Sequence, residues 1–205
     1  MEQRAEKKSR DVRLAFRLEY FTIAWMVVEA GVAVASGILA HSIALVAFGL
    51  DSVIELFAAV VVIWQLRGAQ AERESRERTA LRLIAVTFFA LAAYVTVEAV
   101  IDLARRSRPE ASVAGMVLAA CALVVMPLLF LAKGRVARRI DNAALGADAH
   151  ESLFCGLLAA VLLAGLALNA AFGWWWADPV AALVVAVFAV REGIEALEES
   201  RPEDD

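Results

Sequence analysis

Six long runs of apolar residues, set apart by short charged segments, organise the chain. They extend from about Leu18 to Ala35, Ile43 to Leu66, Leu81 to Leu103, Ala111 to Leu131, Ala143 to Ala167 and Asp178 to Leu197. A hydrocarbon core about 30 Å thick needs about 20 apolar residues per helix, and each run has roughly that length. In lipid the backbone must satisfy its own hydrogen bonds, so each run reads as a helix. Strands of a membrane barrel would show about ten residues of strict alternation, and nothing here alternates. The expected fold class is all-α, a six-helix transmembrane bundle.

Composition strengthens this picture. Of 205 residues 61% are hydrophobic, with a mean hydropathy of +0.67, whereas soluble domains hold about 45–50% apolar residues. Residues 1–17 form a basic segment, residues 18–197 the membrane domain and residues 198–205 a short acidic tail. The apolar run after residue 17 is too long for the core of a secretory signal. The net charge of -4 says little by itself, because its placement carries the information. Cys121 and Cys155 lie in different apolar runs and suggest no disulfide framework.

Turn chemistry and charge set the order and direction of the spans. Ser36-Gly37 is expected to end the first helix, and Asp178 to cap the sixth with Pro179 in its first turn. Trp174, Trp175 and Trp176 fit the aromatic belt at a membrane–water interface. A stacking platform for nucleic acid would need a basic groove beside them, so no nucleic-acid partner is expected. Arg4, Lys7, Lys8, Arg10, Arg13 and Arg17 precede the first span. Arg67, Arg73, Arg76 and Arg78 lie between the second and third, and Lys133, Arg135, Arg138 and Arg139 between the fourth and fifth. The opposite side has only Arg105, Arg106 and Arg108. Cytoplasmic loops carry the Lys/Arg excess, which places both termini in the cytoplasm of a plasma (inner) membrane.

Acids inside such runs are the candidates for chemistry. An ionisable residue at mid-membrane costs about 2.5–3.5 kcal/mol on insertion scales. Asp51 and Glu55 stand four apart on the second span, and Glu151 and Cys155 repeat that spacing on the fifth, after Asp148 and His150. Residues i and i+4 share a helix face, about 5–6 Å apart at Cβ. Two such pairs on facing helices would surround one cavity with three carboxylates and a thiolate. A divalent cation relieves the repulsion within each pair and can deprotonate the thiol. Zinc suits this mixed set best, with Fe2+, Co2+, Cd2+ and Mn2+ as further candidates.

Blander readings exist for each residue. Asp51 and Glu55 could serve as cross-helix hydrogen-bond partners, and Cys155 alone would be an inert core thiol. His150 points about 100° away from Glu151 and reads better as an interhelical partner, and His41 as a loop histidine or weak loading site. Glu29 on the first span and Glu98 on the third could take part in proton movement or pair with polar neighbours. Gly156 and Gly165 permit close helix approach. No nucleophile–base pair, glycine-rich phosphate loop or nucleotide signature appears, so neither an enzyme nor an ATP-driven pump is expected.

The segment from Ser42 to Glu55, SIALVAFGLDSVIE, resembles the second-helix motif of the cation diffusion facilitator (cation efflux) family. That from Ala144 to Cys155, ALGADAHESLFC, resembles its fifth-helix motif, and Gly165-Leu166, Gly173 and Asp178-Pro179 match its pattern before the sixth helix. The resemblance implies a six-helix transport domain, a homodimer, and a zinc-like ion exchanged for protons between the second and fifth helices. It puts Asp51, Glu55, Glu151 and Cys155 in the four ligand places, the set that the spacing also singles out. Departures are Glu151 and Cys155 where His/Asp and Asp are usual, and Phe48 where Asp is common. The chain ends soon after the sixth helix, where family members commonly continue into a cytoplasmic domain, so a dimer would form through the membrane helices or the basic N-terminal segment. A metal-binding sensor that does not turn over is the alternative from another class. A carrier of organic cations fits less well, since a thiol adds nothing to amine binding.

Overall fold

The computed structural model describes residues 2–67, 73–107, 110 and 112–200. Their regular structure is helical throughout: α1 (Glu2–Ala40), α2 (Ile43–Arg67), α3 (Arg73–Arg105), α4 (Val113–Ile140), α5 (Ala143–Phe172) and α6 (Ala177–Glu199). Five of these contain a stretch long and apolar enough to cross a membrane. α6 falls short because Arg191, Glu192, Glu195, Glu198 and Glu199 fill its last turns. The tail residues 201–205 and Arg108 lie outside the described residues.

Several helices run past the apolar stretches that announced them. α1 is continuous from Glu2, so the basic segment is the helix's own first turns, and it passes through Ser36-Gly37 to Ala40. The reversal falls at His41, which takes a left-handed φ of 52°. Lys133, Arg135, Arg138 and Arg139 belong to α4, leaving Asp141 and Asn142 as the connection to α5. Asp141 ends α4 at φ 55°, and the Asn142 side chain caps α5 by accepting the Leu145 N–H at 2.8 Å. Local hydrogen bonds thus replace the backbone partners that helix ends lack.

α2 packs against α1, α3, α5 and α6, while α5 touches α2, α4 and α6. α1 and α4 lie together on one flank and α3 with α6 on the other, so α2 and α5 occupy the middle. At the end carrying the N-terminus, Ala15, Val62, Val136, Ala137, Ile140 and Leu145 form a small apolar cluster. The interior elsewhere is rich in alanine, with Met26, Phe48, Met126 and Leu162 as its larger fillers. Large apolar side chains such as Phe21, Leu39, Val97, Val124, Leu128 and Val187 face outward. That inversion suits lipid: apolar chains gain nothing by hiding from it, and small residues let backbones approach. A Cβ on Gly156 would stand 3.2 Å from Met126 and Pro127, and one on Gly165 3.0 Å from Ala181. Both glycines are contact points, as their places in the sequence suggested. The chain is an integral multi-pass membrane protein.

Candidate metal centre

Asp51 and Glu55 sit one turn apart on α2, and Glu151 and Cys155 one turn apart on α5. All four line a single cavity with a volume of about 20 Å³, the space of one water or one dehydrated ion. Phe88 of α3, Phe154 of α5 and Phe188 of α6 wall it. Asp51, Glu55 and Cys155 are buried and Glu151 is half-buried. Packing of α2 on α5 therefore joins the two pairs that helical spacing had aligned separately.

The polar contacts around the cavity are directional. Ser152 Oγ on α5 lies 3.3 Å from Glu55 Oε1 on α2, a bond that joins the two helices carrying the four cavity residues. Glu29 on α1 is fully buried. Its Oε1 accepts from Ser52 Oγ at 2.8 Å and from Cys155 Sγ at 3.4 Å, and its Oε2 from Trp25 Nε1. Glu29 is thus bonded to both α2 and α5 without lining the cavity itself. Among the described residues, buried Glu151 Oε2 meets no hydrogen-bond partner, an arrangement that costs about 1–3 kcal/mol or more. Among the described residues no three His, Cys, Asp or Glu side chains already converge on one point as a finished metal cage. The donors line a common space, and side-chain rotation would have to close it around an ion.

Asp148, His150 and Glu98 stand apart from the cavity. Asp148 is buried and accepts from the ammonium of Lys133, which is itself fully buried on α4. Lys133 Nζ also lies 3.5 Å from Glu19 Oε1 on α1. This triad ties α1, α4 and α5 together near the N-terminal end. Lys133 had read as one of a row of loop cations, and Glu19, inside the first apolar run, had drawn no reading. Only the packing of α4 against α5 and α1 reveals their pairing. His150 is exposed, its ring 5.6 Å from that of Phe130, in a separate groove of about 370 Å³ between α4 and α5. Glu98 is half-buried on α3.

Two further polar placements escape sequence reasoning. Glu192 of α6 lines the same cavity as Asp51, Glu55, Glu151 and Cys155. Its signal, four residues after Phe188 on one helix face, was masked by the charges that close α6. At the opposite end of the bundle, Asp178 does not cap its own helix: α6 starts at Ala177 after Trp176, with no side-chain cap. Asp178 instead accepts from Ser42 Oγ and from the Ala44 N–H at 3.2 Å, capping α2 from a distance. His41, beside Ser42, is exposed at that end. Nearby Trp174 and Trp176 are exposed and stacked, with centroids 5.1 Å apart, in keeping with an interfacial belt.

A bundle with lipid-suited faces and a carboxylate-lined interior cavity defines the class of multi-pass membrane proteins that handle cations. Residues 20–203 match the cation efflux transmembrane domain. The chain belongs to the cation efflux family, and is a metal cation transporter rather than a member of an enzyme family.

Proposed function

We propose that this chain is a secondary transporter that exchanges a divalent cation, zinc foremost, for protons across the membrane by alternating access. The ion is held between α2 and α5 by Asp51, Glu55, Glu151 and Cys155. The observation carrying this reading is that all four residues line one ion-sized cavity, with Glu151 Oε2 buried and meeting no hydrogen-bond partner among the described residues. A bound divalent ion supplies the missing counter-charge, and a wall of aromatic rings keeps bulk water out. The carboxylates accept protons once the ion departs, which couples the two flows.

The Lys/Arg excess at the end that carries the N-terminus supports a cytoplasmic placement of both termini in a plasma (inner) membrane. A homodimer completes the reading, with residues 18–197 as the transport domain. Reconstitution in liposomes holding a trapped zinc-sensitive dye tests the reading. Zinc entry that requires an imposed pH gradient and is lost in Asp51→Ala is the expected outcome. Transport unchanged in Asp51→Ala, with both proteins folded, overturns it.

A further inference from the structure

The cavity has a third wall that the two motif helices do not supply. α6 packs against both α2 and α5, and its Phe188, Ala189 and Glu192 face the cavity. The depth of Glu192 is set by the Ser42–Asp178 bond, which fixes the register of α6 against α2 at one end. Counting from that level, Glu55 lies 13 residues along α2 and Glu192 lies 14 residues along α6. At a rise of 1.5 Å per residue these are depths of about 20 and about 21 Å. The two carboxylates therefore stand on one layer of the bundle, on different helices, beside one small cavity. The preceding residue goes the other way: Arg191 is exposed, with its guanidinium 5.6 Å from the centre of the Phe154 ring. α6 thus turns its cation out and its carboxylate in.

From this geometry, and resting on the α2–α5 cavity being the ion site, we infer that Glu192 is a fifth donor to the transported ion. A cavity of about 20 Å³ admits the ion without its water shell, so donors in the wall must replace that shell. Four carboxylates and one thiol then surround it. Protein zinc sites are almost always closed by four ligands in a tetrahedron, whereas oxygen-rich sets of higher coordination suit manganese-like ions. Glu192 accordingly widens the cargo class from strictly tetrahedral ions to divalent transition ions that accept five ligands. It acts as a specificity-determining residue of the site.

The test uses Co2+ alone as probe, added to the purified full chain in detergent, because tetrahedral Co2+ absorbs visible light severalfold more strongly than five-coordinate Co2+. Wild type should show the weak bands of five-coordinate Co2+. Glu192→Ala and the shape-conserving Glu192→Gln should both move the spectrum toward strong tetrahedral bands, with Glu192→Asp restoring weak ones. The preference for Zn2+ over Mn2+ should rise at least tenfold in Glu192→Ala. Strong tetrahedral bands already present in wild type overturn the inference without recourse to any variant. So does a weak spectrum that neither Glu192→Ala nor Glu192→Gln alters, and Glu192→Gln decides alone if the alanine variant does not fold. Wild type that takes up no Co2+ sinks the cation site itself, whereas Co2+ bound with an unaltered spectrum sinks only the role given to Glu192.

Discussion

Lys133 of α4 donates to Asp148 of α5 inside the helix bundle, and both side chains are almost wholly shielded. The acid three residues before Glu151 is thereby committed to a neighbouring helix rather than to the cavity. Its partner comes from the stretch of basic residues that closes α4.

Removing the ammonium should be costly. Lys133→Ala would leave Asp148 and Glu19 buried with no cation between them, and breaking such pairs costs about 3–5 kcal/mol. Thermal unfolding in detergent should show a large loss of stability. The triple variant Lys133→Met with Asp148→Asn and Glu19→Gln should recover much of it. A triple variant no better than the single one would show that the ion triad is not what stabilises this junction.

At the other end, Asp178 should stabilise the start of α2 rather than of α6. Asp178→Ala removes the acceptor for Ser42 Oγ and for the Ala44 N–H, and each hydrogen bond to a charged group is worth about 1.5–3 kcal/mol. Amide hydrogen exchange should accelerate around residues 43–46 while the first turn of α6 stays protected. Acceleration confined to α6 would contradict the cross-helix cap.

Close packing of α5 on α6 depends on Gly165. A Cβ there would stand 3.0 Å from Ala181 Cβ and 3.3 Å from the Ala177 carbonyl, so the contact includes backbone that cannot swing aside. Gly165→Leu should destabilise the protein by about 1–3 kcal/mol through overpacking, read as a lowered Tm in detergent. A Tm equal to wild type would mean the helices part freely at this point.

The sulfur should sort ions by softness. Thiolate ligands select soft ions, while carboxylates suit manganese-like ions. Cys155→Ser should weaken Cd2+ binding at least tenfold, about 1.4 kcal/mol, and Mn2+ binding by less. Titration calorimetry with each ion on the same preparation checks this. Equal losses for both would place Cys155 outside the donor set and return it to the role of a packed thiol held by Glu29.

The apolar runs by themselves determined that this is an all-helical membrane bundle, because a backbone in lipid has no other way to satisfy its polar groups within a single span. The four-residue spacing of Asp51 with Glu55 and of Glu151 with Cys155 likewise followed from helix pitch alone. Tertiary structure decided everything that needs two helices to meet. The charged ends of the runs gave no sign that α1 starts at Glu2 or that α4 carries Lys133 inward, since Lys and Arg are as content in a helix as in a loop. Asp178 looked like a cap for the helix it begins, and only the approach of α2 offered it the better-placed N–H and hydroxyl. Glu192 read as one more charge at a helix end until the packing of α6 on α2 and α5 turned it toward the cavity. Periodicity along a chain fixes which face of a helix a residue occupies, whereas its partner depends on which other face the bundle brings opposite.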